Sequence, residues 1–237
     1  MDWEYPGGNG EDYKKNPNEG KVDEIANYPL LLQEIKDAIG DKELSIAVPG
    51  LERDMIAYTA EQVPKINDIV DVVNVMSYDL MNRRDATTKH HTSVQGSLAS
   101  IDKYLELGFD AAKMNLGFAF YAKFFQTTQE CTEPNGCPTD ELEDANGDDT
   151  GKSGAVTFLE GPKVLAEGKA DTEEGGQWYY DAAEKSFWTW DTPDFVQQKF
   201  EQIVKARNLG GVMAWSLGED DAQFTYLKAI QEGVSAL

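Results

Sequence analysis

The chain alternates between short apolar runs typical of β-strands and longer stretches whose apolar residues recur at helical spacing. The predicted strands cover residues 1–5, 44–49, 71–78, 113–121 and 211–216. The predicted helices cover residues 28–39, 93–107, 192–207 and 222–232, with a partly helical stretch at 59–68. This alternation predicts an α/β fold with a parallel sheet and right-handed crossovers.

Polar and aromatic residues collect at the C-terminal ends of these strands, which is typical of the site of a (β/α)8 barrel. A whole barrel has eight strands and roughly 250 residues. Here only five strands are predicted, and about 170 residues remain outside the stretch 122–190. We therefore expect a partial (β/α)8 TIM barrel, about strands four to eight, formed by residues 1–121 and 191–237.

The regular alternation stops over residues 122–190, which we interpret as an inserted α+β subdomain. Within it, residues 177–180 and 186–190 are predicted to be antiparallel strands joined by a turn. The only cysteines, Cys131 and Cys137, flank a turn-like Thr-Glu-Pro-Asn-Gly segment. We expect a local disulfide, and with it an oxidising compartment. Without nearby histidines, two cysteines do not indicate a zinc site, and no metal is expected.

The net charge of −22 excludes some classes of partner. Nucleic acid phosphates and anionic membrane surfaces would be repelled, so neither is expected as a partner. No apolar run approaches the roughly 20 residues of a transmembrane helix, and the residues after Met1 do not resemble a signal peptide. A neutral polymer or an uncharged small molecule fits this charge better.

The opening segment places two carboxylates around a tryptophan, in the order Asp2-Trp3-Glu4. In an extended segment, Asp2 and Glu4 point to the same side and Trp3 points to the other. Two carboxylates on one face raise each other's proton affinity, so one of them can act as a general acid. In an acidic chain, the same tripeptide is also compatible with a solvated edge.

Other features have simpler interpretations. His90 and His91 lack partners at metal-ligand spacing and are expected in a loop. The acidic stretch 140–149 has the wrong ligand spacing for an EF-hand, so a solvated loop is favoured. Trp178, Trp188 and Trp190 are expected in the core of the insertion.

Four segments together resemble family 18 glycoside hydrolases, the chitinases. They are Asp2-Trp-Glu-Tyr-Pro6, Met76-Ser-Tyr-Asp79, Gly117-Phe-Ala-Phe-Tyr121 and Gly210-Gly-Val-Met-Ala-Trp-Ser216, in the family's order. Residues 82–85 and 89–92 resemble fungal members in particular. The stretch after Tyr121 lies where many members carry a chitinase insertion domain. The family pattern has two further aspartates and three strands before this point, so we expect an N-terminally truncated barrel.

The resemblance implies a retaining reaction in which the substrate's own acetamido oxygen attacks the sugar. By position, Glu4 would protonate the leaving oxygen, Asp2 would hold the acetamido N–H, and the Tyr78 hydroxyl would orient the acetamido oxygen. Trp215 would form the floor under the central sugar. The resemblance also implies substrate binding by Trp3, Tyr5, Met76, Asp79, Tyr121, Lys123 and Met213. Lys123 stands where many members have arginine, so its contact differs in geometry.

These implications lead to a functional hypothesis with open alternatives. The chain would be a secreted chitinase that cuts β-1,4 linkages between N-acetylglucosamine units of chitin or chito-oligosaccharides without a cofactor. A catalytically impaired oligosaccharide-binding fragment and an endo-β-N-acetylglucosaminidase remain alternatives. Unpaired barrel edges would also favour self-association.

Overall fold

The computed structural model describes residues 1–237. Its strands are β1 (Ser45–Pro49), β2 (Val72–Met76), β3 (Met114–Ala119), β4 (Tyr121–Gln126), β5 (Ser153–Thr157), β6 (Lys169–Asp171), β7 (Gly176–Asp181), β8 (Ser186–Trp190) and β9 (Gly211–Trp215). Its α-helices are α1 (Val22–Ile39), α2 (Gln62–Ile69), α3 (Val94–Leu107), α4 (Pro193–Lys199) and α5 (Thr225–Ser235). No helix is long and apolar enough to cross a membrane.

Four strands form a parallel sheet in the order β1-β2-β3-β9. The buried side chains of β2 alternate along the strand, so that Val73 and Val75 face the core. The predicted α/β class is confirmed, and solved structures of this fold are described below. The closure of this sheet into part of a barrel stays a prediction.

The opening segment was predicted as a strand, and this is wrong. It joins the sheet through a single parallel bridge between Asp2 and Ala47. The Ala47 N–H donates to the Met1 carbonyl at 3.0 Å, and the Met1 ammonium donates to the Ser45 carbonyl at 2.7 Å. The chain turns away at once over Pro6 and two glycines with positive φ, so no further pairs form.

A row of aromatic rings holds this opening segment against the core. Trp3 packs edge-on against Tyr28, Tyr28 against Tyr58, and Tyr58 against Tyr104, with ring centroids 6.0, 6.0 and 5.6 Å apart. The Tyr104 hydroxyl donates to the Pro49 carbonyl at 2.7 Å, which ties α3 to the end of β1. The segment is therefore positioned by side-chain packing more than by backbone pairing.

Helix boundaries differ from the prediction at one end of α1. This helix begins at Val22 rather than at residue 28, and Pro29 lies inside it. The residues before the proline still form helix because Tyr28 and Leu32 are buried in the main core, and tertiary packing outweighs local propensity. Helix α3 follows its predicted signals, with Ser93 as the N-cap and Gly108 in the left-handed conformation at the C-terminus.

Residues 121–190 contain a second, antiparallel sheet in the order β5-β4-β8-β7-β6. The predicted pairing of residues 177–180 with 186–190 is confirmed by β7 and β8. Tyr121 already belongs to β4, and Phe120 alone separates it from the end of β3 at Ala119. Trp178 packs within this sheet's own cluster, as expected. Trp190 belongs to the main core and Trp188 packs against that core, so the expectation is wrong for these two tryptophans. The division into two domains at 121 and 190 stays a prediction.

The predicted disulfide is present between Cys131 and Cys137, whose Cα atoms lie 5.6 Å apart. Both cysteines are buried in a small apolar cluster with Met81, Phe125 and Phe187. The bridge thus closes a short loop over one face of the second sheet.

A buried ion pair joins α4 to the residue after β8, and a further contact joins α4 to the loop at Thr92. Lys199 and Asp191 are both fully buried, and the Lys199 Nζ atom lies 2.6 Å from Asp191 Oδ2. The same ammonium donates to the carbonyl and the hydroxyl of Thr92, both at 2.8 Å. Burial lowers the pKa of Lys199 and raises that of Asp191, and each charge opposes the shift of the other. The helical pattern of 192–207 gave no sign of this pair.

We expect Lys199→Met to lower the free energy of unfolding by about 3–5 kcal/mol, because it leaves the Asp191 carboxylate buried without a cation. Urea unfolding of the variant and of the wild-type chain would measure the difference. Lys65→Met is a matched control, since Lys65 is half exposed and forms its ion pair with Glu61, an exposed residue just before α2. Equal losses in both variants would contradict a special role for the buried pair.

Candidate active site

A cavity of about 640 Å³ lies at the C-terminal ends of the parallel strands. The predicted site residues that line it are Asp2, Glu4, Tyr5, Met76, Tyr78, Asp79, Tyr121, Lys123, Met213 and Trp215. Carboxyl ends of parallel strands meet at one edge of a sheet, and the structure therefore brings these distant segments together. Trp3 is the one predicted residue outside this lining, since it faces Tyr28 on the other side.

Glu4 has the electrostatic environment of a general acid. Burial raises its pKa above the usual range, and the neighbouring carboxylate of Asp2 raises it further through charge and hydrogen bonding. Asp79 adds a weaker effect in the same direction. The side chain still borders the cavity, so its proton can reach a bound molecule.

Tyr78 is buried at the bottom of this cavity. Its ring packs edge-on against Tyr121, with centroids 6.3 Å apart, and its hydroxyl lies 3.8 Å from the Met213 sulfur. Burial raises the pKa of the Tyr78 phenol well above its usual range, with Asp79 and Glu4 adding to the effect. The hydroxyl is therefore neutral and free to donate a hydrogen bond to a ligand oxygen.

Asp79 connects the two sheets across the cavity. Its Oδ1 atom accepts from the Tyr121 hydroxyl at 2.9 Å and lies 3.0 Å from Lys123 Nζ. Asp79 itself adopts a left-handed backbone conformation, with φ of 54°, which aspartate tolerates better than most residues. Half of its side chain remains exposed to the cavity. One carboxylate oxygen is thus held by protein groups while the side chain stays accessible.

The two histidines lie in a loop as predicted, and the ring of His90 is hydrogen-bonded to neighbouring side chains. Its ring nitrogens lie 3.0 Å from the Thr189 hydroxyl and 3.1 Å from Asp171 Oδ2. His91 is fully buried and stacks on Tyr121, with ring centroids 5.3 Å apart. Burial lowers the pKa of His91 well below its usual range, so this ring is neutral behind Asp79.

Trp215 lies at the open edge of the parallel sheet. It ends β9, and 56% of its surface is exposed. An indole that is exposed beside carboxylates offers an apolar face to a ligand with polar edges, such as a pyranose ring. The peptide bonds Glu4–Tyr5 and Trp215–Ser216 are both cis.

Several cavity residues were not predicted as site residues. They include Asn9, Gly10, Glu11, Arg83, Arg84, Asp149, Ser153, Gly154 and Ala155. Arg83 and Arg84 follow closely after β2, so their position beyond a strand end was the available signal. The residues near 153 come from the second sheet, and no local sequence pattern indicates where this sheet packs against the first.

The acidic stretch 140–149 was expected to be a solvated loop, and this is wrong in part. Glu143 is mostly buried, with 11% of its side chain exposed, and it pairs with Lys14 at 2.6 Å. Asp148 remains exposed and pairs with Lys15, also at 2.6 Å. The loop therefore packs on residues 13–15 beside the cavity.

We expect Asp2→Asn to lower the pKa of Glu4, because the neutral amide no longer disfavours ionisation of Glu4. The protonated form of Glu4 would then be lost at a lower pH than in the wild-type chain. A carbon-13 NMR titration of the Glu4 carboxyl would measure this. Asp41→Asn, in the exposed turn after α1, is the control and should leave the titration unchanged. An unchanged Glu4 titration in Asp2→Asn would contradict the coupling.

Known proteins resemble this chain in sequence and in fold. A chitinase 2 of Yersinia entomophaga is 30% identical over 253 residues, covering 93% of this chain and 38% of that protein. The chain therefore spans well under two thirds of this relative. Relatives come from bacteria, fungi and insects, so the fungal type is not singled out.

Solved structures share the fold. The catalytic domain 2 of the Group II chitinase from Ostrinia furnacalis superposes with a TM-score of 0.80 at 23% identity, covering 100% of this chain and 66% of that one. Human YKL-39, described as a pseudo-chitinase that retains chitooligosaccharide binding, gives a TM-score of 0.74 at 19% identity over 90% of this chain and 66% of that one. The model of the glycosyl hydrolases family 18 matches residues 1–220, and the chain belongs to this family.

Proposed function

We propose that the chain is a chitinase that hydrolyses β-1,4 linkages between N-acetylglucosamine units with retention of configuration. The observation that carries this proposal is the single cavity shared by Glu4, Asp2, Tyr78 and Trp215. Family membership and relatives named as chitinases support the substrate class. The net charge of −22 is compatible with a neutral polysaccharide.

In the first step, Glu4 donates its proton to the glycosidic oxygen as the C1–O bond breaks. The acetamido carbonyl oxygen of the same sugar attacks C1 and forms a cyclic oxazolinium ion. Asp2 accepts a hydrogen bond from the acetamido N–H and stabilises the positive charge, while the Tyr78 hydroxyl donates to the acetamido oxygen and orients it. The raised pKa of Glu4 favours the protonated form that this step requires.

In the second step, ionised Glu4 takes a proton from water as the water oxygen attacks C1 and reopens the oxazolinium ring. The second attack on the same carbon restores the original configuration. Trp215 would form the apolar floor of the central subsite, and Asp79, Met76, Tyr121, Lys123 and Met213 would line it. No cofactor is needed, because the proton and the nucleophile come from Glu4 and the substrate.

The architecture we propose is a partial (β/α)8 barrel with an insertion subdomain that forms one wall of the groove. Strand β5 supports this, because Ser153, Gly154 and Ala155 on this edge strand line the cavity. The disulfide between Cys131 and Cys137 supports an extracellular location, where such bonds persist.

We expect Glu4→Gln to lower kcat on chitotetraose by about 10²- to 10⁴-fold, because glutamine cannot donate the proton. Product release measured by chromatography would show this loss. Glu61→Gln, an exposed residue at the start of α2, should hydrolyse at the wild-type rate. Equal rates in the wild-type chain and Glu4→Gln would remove Glu4 from its proposed role.

A second candidate function is oligosaccharide binding without turnover. It is favoured by the weak attachment of the segment that carries Asp2 and Glu4, because this segment pairs with the sheet through a single bridge. Proton transfer requires positioning within about 0.5 Å, whereas binding tolerates more. Calorimetric binding of chitotetraose with no products would establish this alternative. An endo-β-N-acetylglucosaminidase would instead release glycans from an N-glycosylated protein and leave chitotetraose intact.

We also propose self-association through the open edge of the parallel sheet. Strand β9 pairs only with β3, and Trp215, Leu217 and Phe224 beyond it are more than half exposed. Sedimentation velocity should show a dimer whose fraction rises with concentration. Leu217→Lys should reduce this fraction, whereas Leu30→Lys, an equally exposed change on α1, should not. A monomer at all concentrations would contradict this proposal.

A further inference from the structure

Three loops beside the cavity contact one another through a compact group of side chains. We call this group the clamp, and its members are Tyr13, Lys14, Arg83, Arg84 and Glu143. The Tyr13 hydroxyl donates to Glu143 Oε1 at 2.5 Å, and Lys14 Nζ lies 2.6 Å from the same oxygen. Arg83 Nε lies 3.8 Å from Glu143 Oε2. One mostly buried carboxylate thus holds groups from two other loops.

Arg84 fixes the clamp to the segment that follows Glu4. Its guanidinium donates to the carbonyls of Asn9 and Gly10 at 3.1 and 3.0 Å. The same group lies 4.0 Å from the centre of the Tyr13 ring, which is a cation–π contact. Gly10, Arg83 and Arg84 also line the cavity, so the clamp is part of its wall.

The sheet order shows which side of the cavity the clamp closes. The opening segment pairs with β1, and β9 lies at the opposite edge of the sheet. Residues 9–14 follow the opening segment, and Arg83 and Arg84 follow β2, which lies next to β1. Trp215 ends β9 and is exposed. The cavity is therefore walled on the side of β1 and β2 and open on the side of Trp215.

From this we infer that the clamp sets the substrate length that the site accepts, by limiting how many sugar units extend past Glu4 on the β1 side. This inference rests on the proposed action on chito-oligosaccharides. A sugar chain that extended beyond the wall would have to separate the loops that Glu143 joins and break its contacts to Tyr13, Lys14 and Arg83. The site should then act near one end of a chain and gain little from longer substrates.

The test compares two double variants of the full chain. Lys14→Ala with Glu143→Ala removes the buried pair of the clamp without changing the net charge. Lys15→Ala with Asp148→Ala is the matched control, because this pair joins the same two loops at the same 2.6 Å distance but is more than half exposed. Thermal unfolding shows whether both variants remain folded.

The readout is the ratio of kcat/KM for chitohexaose to that for chitotriose, with the products identified by chromatography. We expect the clamp variant to raise this ratio about tenfold, the effect of one further favourable sugar contact, and to replace one dominant small product by a mixture. The kcat/KM for chitotriose should stay unchanged in the clamp variant. The control variant should match the wild-type chain with both sugars. A ratio equal to wild type in a folded clamp variant would overturn this inference and leave the proposed function intact.

If the wild-type chain does not hydrolyse chitotriose or chitohexaose, the proposed hydrolysis fails, and calorimetric Kd values for the same two sugars test the clamp. Two results together would support the inference. The wild-type chain would bind chitotriose and chitohexaose with similar Kd values, and the clamp variant would bind chitohexaose about tenfold more tightly than chitotriose. Kd values that do not differ between wild type and the clamp variant, or no binding at all, would overturn it.

Discussion

The parallel pairing of four strands is the constraint on which the rest of the molecule depends. Parallel strands require crossover connections, so all their carboxyl ends lie at one edge of the sheet. The last residues of β2, β3 and β9 are Met76, Ala119 and Trp215. Tyr78 and Tyr121 lie two residues beyond β2 and β3, and Met213 lies within β9. The cavity forms where these ends meet, and loop residues such as Arg83 and Arg84 complete its wall.

Paired cations then hold the surrounding elements in place in a chain with an excess of carboxylates. Lys199 ties α4 to the end of β8 and to the loop at Thr92. Lys123 ties the second sheet to Asp79, and Arg84 ties the segment after Glu4 to the loop after β2. Of these, only Lys199 neutralises a fully buried carboxylate, whereas the carboxylate that Lys123 contacts is half exposed. Glu4 and Asp2 form no salt bridge with a cation, and the pKa of Glu4 is raised by its burial and by the neighbouring Asp2 carboxylate.

Local patterns predicted most elements because the periods of helices and strands differ clearly. The strands β2 and β9 and the helix α3 lie where apolar spacing and capping residues indicated. The pattern failed at α1, where packing of Tyr28 and Leu32 extends the helix past a proline, and at residues 1–5, where a turn removes the backbone partners. Trp190 was assigned to the wrong core, because periodicity does not show which sheet a tryptophan faces.

The sequence by itself determined the α/β class, through the alternation of strand and helix patterns along the whole chain. It also determined that Asp2 lies near Glu4 and that Trp3 points away from them, since both follow from spacing within one segment. Its motifs also indicated the family that the comparisons establish. Only the tertiary structure decided that Tyr78, Asp79 and Trp215 border the same cavity as Glu4, and that Glu143 packs on Lys14 rather than remaining in water. Contacts between residues more than a hundred positions apart depend on how sheets and loops pack, and no local pattern carries that information.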